Sequence, residues 1–417
     1  MGSHRDEACM PLDRLIPELD RHVALFGDRG TAKGSELVIR EVVRPEGVRG
    51  PRYLLEGYGN RSFIRMNSNS YLGLALHPEV IRAEEATSRA MGTGPGAVRF
   101  ITGTHTPHVE LERALAAFHR RPEGMIFSSA YAAVMGTLVP LIDSTTTVIS
   151  DELNHNSIIN AIRLSRPLSK SIYPHLDMAA LDRQLAKAAG RARRAVVVTD
   201  GIFSMRGDHA PVDEIMNIAR RHDRSFPENV LVVVDDSHGV GAFGPTGRGT
   251  EDYTASPPAD VLIGTLGKAL AVNGGYVVSE SPVIRYLRET SPFYIYSNPI
   301  TASEAAAALT SLGILDSPEG VSLLHRLRDL TYRLEANLGA LGYEILPGEH
   351  PIVPLMLRDT EETRRLVAAL FEGGVLATGL AYPVVPRGDE EIRLQVNADH
   401  TVADIDHVLS VLAAANR

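Results

Sequence analysis

The run NVLVVVDD, residues 229–236, is almost wholly apolar and then ends in two carboxylates. Such a strand is typical of a parallel sheet that is covered on both faces. ARRAVVVTDG (192–201) has the same form, and PVDEIMNIARRHD (211–223), between the two, carries apolar residues at helical spacing. DVLIGTLGK (260–268) and GGYVVS (274–279) follow as further strand candidates. This alternation predicts an α/β architecture with right-handed crossovers.

Outside this region, the composition and the hydrophobic pattern of the chain change twice. Residues 1–60 mix charge, glycine and proline around one helical pattern, Leu12 to Phe26, and we expect an N-terminal arm or lid. Residues 61–300 hold the alternating strands and helices of a large domain. Residues 301–417 begin with long helical patterns and continue with shorter strands, which predicts a smaller α+β domain.

Four short strand candidates mark the C-terminal part, and they are YEILPG (343–348), IVPLMLRD (352–359), VLATGL (375–380) and IRLQVN (392–397). A long helical pattern spans residues 323–341. The last helix is expected to begin at Thr401, because Asp404 stands three residues later as in a capping box.

Composition excludes several classes of function. The formal net charge is −9, from 42 Lys+Arg against 51 Asp+Glu, so a general nucleic-acid binder is not expected. The single cysteine, Cys9, cannot form an internal disulfide. No apolar run approaches the roughly 18 residues of a membrane helix, and the polar N-terminus does not resemble a signal peptide. We therefore expect a cytoplasmic enzyme with neither a membrane nor a nucleic-acid partner.

Polar residues cluster where three consecutive strands end. Asp200, Asp235 with His238, and Lys268 each follow an apolar run and stand near glycine. Singly, such an acid is usually a turn former and such a lysine is solvated. Ligands of open α/β sheets bind at the carboxyl ends of the strands, however. A lysine in this position is a candidate for a Schiff base, and a neighbouring acid is the expected partner of a protonated pyridine nitrogen.

Two other motifs are rejected as ligand sites. Gly239, Gly241 and Gly244 spell G-x-G-x-x-G, but a loop-like sequence follows them where the dinucleotide fingerprint requires a helix. His105 and His108 have no carboxylate or cysteine at ligand spacing, so we expect no metal site.

Many ordered motifs together resemble one family, and they are NSNSYLGLA (67–75), VRFITGTHTPHVELE (98–112), FSSAY (127–131), DELNHNSI (151–158), TDGIFSMRGD (199–208), VDDSHGVGAFGPTGRG (234–249), GTLGKAL (264–270), YSNP (296–299) and EIRLQVNADH (391–400). The chain resembles the α-oxoamine synthases, pyridoxal-phosphate (PLP) enzymes of aminotransferase fold type I. This family includes glycine C-acetyltransferase and 8-amino-7-oxononanoate synthase. The resemblance implies a large domain with a mostly parallel, seven-stranded type of sheet, helices on its faces and a smaller C-terminal domain.

The resemblance also implies roles around the cofactor. Lys268 matches the lysine bound covalently to PLP, Asp235 the partner of the pyridine nitrogen, and His155 the histidine stacked on the ring. The remaining cofactor contacts would come from the ring-hydroxyl partners His238 and Ser204, the acid Asp200 beneath the ring, the phosphate-binding amides of Ala130 and Tyr131, the hydroxyl of Thr265, and Ser297 with Asn298 from a second subunit of a homodimer.

Substrate contacts follow from the same resemblance. Arg393 matches the arginine that binds the amino-acid carboxylate, a task suited to its bidentate fork. The alternative is a sheet-end arginine paired with Glu391 or Asp399. Asn69 matches an asparagine that lines the same pocket. The implied reaction joins a small amino acid to an acyl-CoA or acyl-carrier thioester, usually with decarboxylation, to give an α-aminoketone.

Two alternative interpretations of the function remain open. An aminotransferase or aldolase of the same fold would share Lys268 and Asp235 without needing CoA, and a silent partner subunit would be expected to lack the lysine. Three residues depart from the family pattern, and they are Ala130 and Ala271, where glycine is usual, and Arg206, where an acid is common. Arg99 and Arg206 flank family motifs and are candidates for attracting CoA.

Overall fold

The computed structural model describes residues 11–28, 36–382 and 384–416. Its first elements are helix α1 (Pro11–Asp28) and strands β1 (Ile39–Val43), β2 (Arg52–Leu55) and β3 (Ser62–Arg65). Helix α1 confirms the helix predicted from Leu12 to Phe26, and its described side chains are exposed. Cys9, on which the disulfide argument rested, lies outside the described residues.

The central part alternates strands with helices, as the apolar runs predict. In chain order its elements are α2 (Pro78–Met91), α3 (Thr106–Phe118), β4 (Glu123–Phe127), α4 (Ala130–Leu141), β5 (Thr146–Asp151), α5 (Asn156–Ser165), β6 (Ser169–Tyr173), α6 (Met178–Ala188), β7 (Arg194–Asp200), α7 (Val212–His222), β8 (Asn229–Asp235), α8 (Thr250–Tyr253), β9 (Val261–Thr265), β10 (Gly275–Ser279), α9 (Ser281–Thr290) and α10 (Pro292–Ile295).

These strands form one seven-stranded sheet in the order β4–β10–β9–β8–β7–β5–β6. Strand β10 runs antiparallel to both neighbours, and the pairs from β9 to β6 are parallel. The prediction of a mostly parallel sheet with seven strands is therefore confirmed. The register sets Asp200 directly opposite Asp235, so two of the predicted carboxylates lie at adjacent strand ends.

The C-terminal part contributes helices and short strands, namely α11 (Ala302–Leu315), α12 (Pro318–Ala340), β11 (Glu344–Ile345), β12 (Ile352–Met356), α13 (Thr360–Glu372), β13 (Val375–Leu376), β14 (Thr378–Leu380), β15 (Glu391–Gln395) and α14 (Val402–Ala415). Four strands form an antiparallel sheet in the order β11–β12–β15–β14. Strand β13 pairs instead with β3 and extends the N-terminal strands to a second four-stranded sheet. Thr401 caps α14 in the predicted capping box with Asp404.

Apolar side chains pack on both faces of the large sheet, which explains its near-continuous apolar strands. One core also takes in apolar residues of α12, α14 and the C-terminal sheet. None of the helices in the described ranges combines the length and the hydropathy needed to cross a bilayer.

Candidate active site

A helix begins at the carboxyl edge of the large sheet, where FSSAY was expected to bind phosphate. Ser129 is the N-cap of α4, and its hydroxyl accepts a hydrogen bond from the amide of Ala132 at 3.0 Å. The amides of Ala130 and Tyr131 occupy the first turn, where N–H groups have no partner within the helix. A Cβ on Gly275 would lie 2.4 Å from the Ala130 Cα, so only glycine lets β10 approach this turn. The arrangement suits an anion.

In front of this turn lies a narrow cavity of about 60 Å³. Eight residues predicted from the sequence line it together, and they are Ala130, Tyr131, His155, Asp200, Ser204, Asp235, His238 and Lys268. Ser157, Ile202 and Ser237 complete the lining.

Lys268 follows β9 and lies close to two carboxylates, Asp235 at the end of the adjacent strand β8 and Asp200 at the end of β7, the next strand along the sheet. Burial lowers the pKa of its ammonium group to about 8, although Asp235 and Asp200 oppose the shift. Burial and the neighbouring Asp235 raise the pKa of Asp200 well above its usual value. Asp235 is held by Ser237, whose hydroxyl donates to its Oδ1 at 2.6 Å. A buried amine that loses its proton near neutral pH can act as nucleophile and base.

His155 is the N-cap of α5, at the end of the loop after β5. Its backbone amide donates to Asp200 Oδ2 at 2.8 Å, and its Nδ1 lies 2.7 Å from the hydroxyl of Ser157. Burial lowers the pKa of the imidazole, so the ring is held neutral beside the cavity.

His238 belongs to a series of polar contacts that also includes Tyr71, Asn69 and Gln395. Its Nδ1 lies 2.7 Å from the Tyr71 hydroxyl, which also lies 3.4 Å from Asn69 Oδ1. The amide of Gln395 donates to the same Asn69 oxygen at 2.5 Å. Burial and the nearby Lys268 lower the pKa of His238 well below its usual value.

Arg393 lies on β15 and reaches toward the cavity from the C-terminal sheet. Its Nη1 donates to the carbonyl oxygen of Ser204 at 2.8 Å. Within the described ranges, no ion pair joins it to Glu391 or Asp399, the partners of the alternative interpretation. Its Nε is buried and has no hydrogen-bond partner there. A buried guanidinium with an open donor is suited to a carboxylate.

Other predicted residues lie outside the narrow cavity. Thr265 is buried at the end of β9, where its hydroxyl binds the carbonyl of Gly274 at 3.3 Å. Ser297 is half-buried and Asn298 is exposed, and neither lines the cavity. Arg206 binds Asp208 at 3.0 Å and is partly exposed.

The expectation that Arg99 attracts CoA is wrong. Arg99 is only 6% exposed, and both of its terminal nitrogens bind the carboxylate of Glu112 at 3.0 and 3.1 Å. A guanidinium that is buried and paired in this way cannot meet a ligand in solvent. The sequence placed it beside a family motif but could not show its partner, thirteen positions along the chain.

The two rejected motifs have structural roles. Gly241 and Gly244 adopt left-handed backbone angles, with φ of 76° and 80°, in turns that lead to the four-residue helix α8. His105 and His108 cap α3, and His108 also contacts the carbonyl of Ile300 at 2.8 Å. No cluster of potential metal ligands occurs among the residues that the structure describes.

Sequence reasoning missed four neighbours of the cavity. Ser157, Ser237 and Tyr71 each stand two residues or fewer from a predicted site residue, so their side chains could have been inferred from local spacing. His350 Nε2 lies 2.9 Å from the His238 carbonyl oxygen, yet 112 positions separate the two residues. No local signal identifies such a contact.

Together these groups fit pyridoxal phosphate. The first turn of α4 offers amides for the phosphate, Asp235 offers a carboxylate for the ring nitrogen, and Lys268 offers the amine. The molecule is therefore a PLP-dependent enzyme of fold type I. The family model for aminotransferase class I and II matches residues 61–412, and the chain belongs to that family.

Comparison with individual relatives identifies the type of enzyme within this class. The chain is 39% identical to an 8-amino-7-oxononanoate synthase of Marinobacter nauticus, over 88% of this chain and 90% of the relative. It is 36% identical to the mitochondrial 2-amino-3-ketobutyrate coenzyme A ligase of Homo sapiens, over 88% and 86%. A serine palmitoyltransferase structure from Sphingomonas wittichii superposes with a TM-score of 0.86 at 26% identity, covering 97% of this chain and 98% of that one. The protein is an α-oxoamine synthase, a PLP-dependent acyltransferase that condenses an amino acid with an acyl thioester.

Proposed function

We propose that this synthase joins a small amino acid to an acyl-CoA, releases free CoA and CO2, and yields an α-aminoketone. The observation that carries the proposal is the buried Lys268 amine, which lies close enough to Asp235, Asp200 and Arg393 to interact with all three charges, together with the unpartnered Nε of Arg393. When bound, PLP supplies the electron sink for the charge that forms on Cα.

Lys268 is the proposed base. Its pKa of about 8 leaves part of the amine neutral near pH 7, so its Nζ can take the proton from Cα of the amino acid. The Cα electron pair then forms a bond to the thioester carbonyl, the C–S bond breaks, and the thiolate leaves as CoA. When the C–C bond to the carboxylate breaks and CO2 leaves, Lys268 returns a proton to Cα.

Asp235 and the two histidines are proposed to hold the cofactor ring. The carboxylate of Asp235 would keep a proton on the ring nitrogen, which is the condition for an electron sink. The neutral imidazole of His155 would stack on the ring, and the hydrogen bond from its backbone amide to Asp200 fixes this residue beside the cavity. His238 and Ser204 would bind the ring hydroxyl, and Tyr71 orients His238 through its Nδ1.

The amino acid is proposed to bind between Asn69 and Arg393. Arg393 is oriented by the Ser204 carbonyl, which leaves Nε and Nη2 to form two parallel hydrogen bonds with a carboxylate. Asn69 lies beside this position because Gln395, on the same strand as Arg393, donates to its side-chain oxygen.

The second part of the proposal is a homodimer in which Ser297 and Asn298 reach the phosphate of the partner subunit. Support comes from exposed apolar side chains, with Phe100 66%, Ile101 55% and Tyr296 80% exposed. Tyr296 directly precedes Ser297. The double variant Ser297→Ala/Asn298→Ala should lose PLP on dialysis faster than wild type while remaining a dimer in sedimentation. A fully active monomer would contradict this part. The cytoplasmic location expected from the sequence stays a prediction.

The acyl-transfer reaction is tested by stoichiometry. A panel of amino acids is incubated with acyl-CoA thioesters, and free thiol, CO2 and aminoketone are measured together. Equal amounts of thiol and aminoketone are expected, and borohydride reduction with peptide mapping should label Lys268. Formation of a 2-oxo acid without thiol release would favour the aminotransferase alternative.

A further inference from the structure

A second cavity, lined by described residues, is separate from the narrow one at Lys268. It encloses about 830 Å³ between α13, strand β14 and the segments that flank them, within the range of small-molecule sites. Its walls are mainly apolar, and the side chains that matter here are Leu37, Val367, Phe371, Leu380, Tyr382 and Val384. A cavity of this size and character is suited to a hydrocarbon ligand.

This cavity adjoins the proposed amino-acid site. Thr378 lines it and pairs directly with Arg393 across the antiparallel strands β14 and β15. Directly paired residues project from the same face of a sheet, with Cβ atoms about 5 Å apart. The Asn67 side chain, also in the lining, donates to the Thr378 hydroxyl at 3.3 Å and stands two residues before Asn69.

The reaction needs space for an acyl chain next to Arg393. The thioester carbonyl must come within about 3.5 Å of Cα, and Arg393 is proposed to hold the carboxylate on that carbon. The cavity at Lys268 is lined mostly by polar residues and encloses only about 60 Å³, which the cofactor would occupy. The apolar space beyond Thr378 is therefore where a chain attached to that carbonyl can continue.

The charged side chains in the lining of this cavity indicate which acyl groups it can accept. Its two charged side chains are Arg364 and Glu372, with 59% and 76% exposure. Arg364 binds Glu361 at 2.7 Å, and Glu372 lies 3.4 Å from Arg61. Both charges lie at the solvent side and have partners, so the lining residues place no free positive charge in the interior to pair with a carboxylate at the end of the chain.

We propose that this cavity binds the acyl chain of the thioester substrate, and that it selects a medium or long chain without a terminal charge. The proposal rests on the acyl-transfer function given above. Burial of each further methylene should raise kcat/KM about three- to fourfold until the cavity is filled.

The first test measures kcat/KM of the holoenzyme with acetyl-, butyryl-, octanoyl- and palmitoyl-CoA, and with an octanoyl-length thioester ending in a carboxylate. Wild type should prefer the longer unsubstituted chains and discriminate against the carboxylate. Ala368→Trp places a large side chain in the cavity from an exposed position on α13, and should abolish the gain in kcat/KM that octanoyl and palmitoyl chains give over acetyl-CoA in wild type. Ala186→Trp, on the exposed face of α6, is the matched control and should behave as wild type.

A binding measurement keeps this inference separable from the reaction itself. Calorimetry should give palmitoyl-CoA a Kd at least tenfold lower than free CoA in wild type and in Ala186→Trp, but not in Ala368→Trp. Equal chain-length profiles in the two variants, or equal Kd values, would overturn the inference while acyl transfer stands. Thiol release from none of the thioesters would remove the proposed function, and the Kd comparison would still decide the cavity. A change of mass in sedimentation confined to Ala368→Trp would overturn the inference in favour of a contact between two copies.

Discussion

The two sides of the candidate site differ in how their polar groups are satisfied. On the large-sheet side, none of the residues around the Lys268 cavity has a fully buried side-chain nitrogen or oxygen without a partner. On β15, the alternate residues Glu391, Arg393 and Gln395 share one face, and each has such an atom. Because a buried polar group without a partner costs free energy, these three atoms support the proposal that substrate atoms bind against β15. The large-sheet side is thus preformed, and we propose that the substrate completes the other side.

The largest effect is expected on the β15 side of the site, where the amino acid is proposed to bind. Arg393→Ala should lower kcat/KM for the amino acid by about two orders of magnitude, corresponding to about 3 kcal/mol for the loss of a charged, bidentate partner. The absorbance of bound PLP should stay unchanged, because no Arg393 contact is proposed with the cofactor. Arg393→Lys keeps the charge without the fork and should recover only part of the loss. Unchanged kinetics in Arg393→Ala would show that the open donor on β15 has no ligand to bind.

The large-sheet side is tested through His175, whose side chain contacts Asp151 at the end of β5 and Asp208 in the loop after β7. Its Nδ1 lies 3.0 Å from Asp151 and its Nε2 3.1 Å from Asp208. Burial alone would lower the pKa of the imidazole, but these two carboxylates outweigh it and raise the pKa to about 9. The group binds its proton more tightly when folded, so its contribution is complete below the unfolded pKa of about 6.5 and is lost as pH rises through 9.

We therefore expect His175→Gln to lower the free energy of unfolding by about 2 kcal/mol at pH 7 and by little above pH 10. Urea unfolding across this pH range measures both values. His222→Gln is the control, since His222 binds Asp182, which is partly exposed, and the substitution should cost less than about 1 kcal/mol. Equal losses in both variants would mean that the segments carrying Asp151 and Asp208 do not depend on His175.

A smaller effect is expected from Glu391, which lies on β15 two residues before Arg393. Burial raises the pKa of Glu391 to about 7, against the opposing effect of Arg393. Below pH 7 the carboxyl is mostly neutral, and above it the negative charge near Arg393 opposes the binding of a substrate carboxylate. The amino-acid KM of wild type should rise a few-fold as pH increases from 6 to 8, about 1 kcal/mol, whereas Glu391→Gln should lack this increment. Parallel pH profiles of the two proteins would contradict the assignment.

The sequence predicts those parts of the site that depend on a local pattern, and it does not predict those that depend on contacts between distant segments. Asp200, Asp235 and Lys268 were identifiable because each ends its own apolar strand, and parallel strands bring their ends to one edge. The pairing of β3 with β13 joins residues more than 300 positions apart and left no local pattern. For the same reason His175 and the partner of Arg99 were missed or misjudged, since ion pairs depend on what the fold brings opposite.

The turn that carries Lys268 ends in a residue whose conformation bears on how the enzyme withstands heat. Ala271 has a φ of 69°, in the left-handed region, and its amide closes the turn on the Lys268 carbonyl at 3.1 Å. An alanine there is strained by about 1 kcal/mol, yet it restricts the unfolded chain more than the glycine usual in the family. At a positive φ the strain outweighs this restriction, so Ala271→Gly should slightly raise the melting temperature. Ala271 therefore stores strain in the turn that carries Lys268.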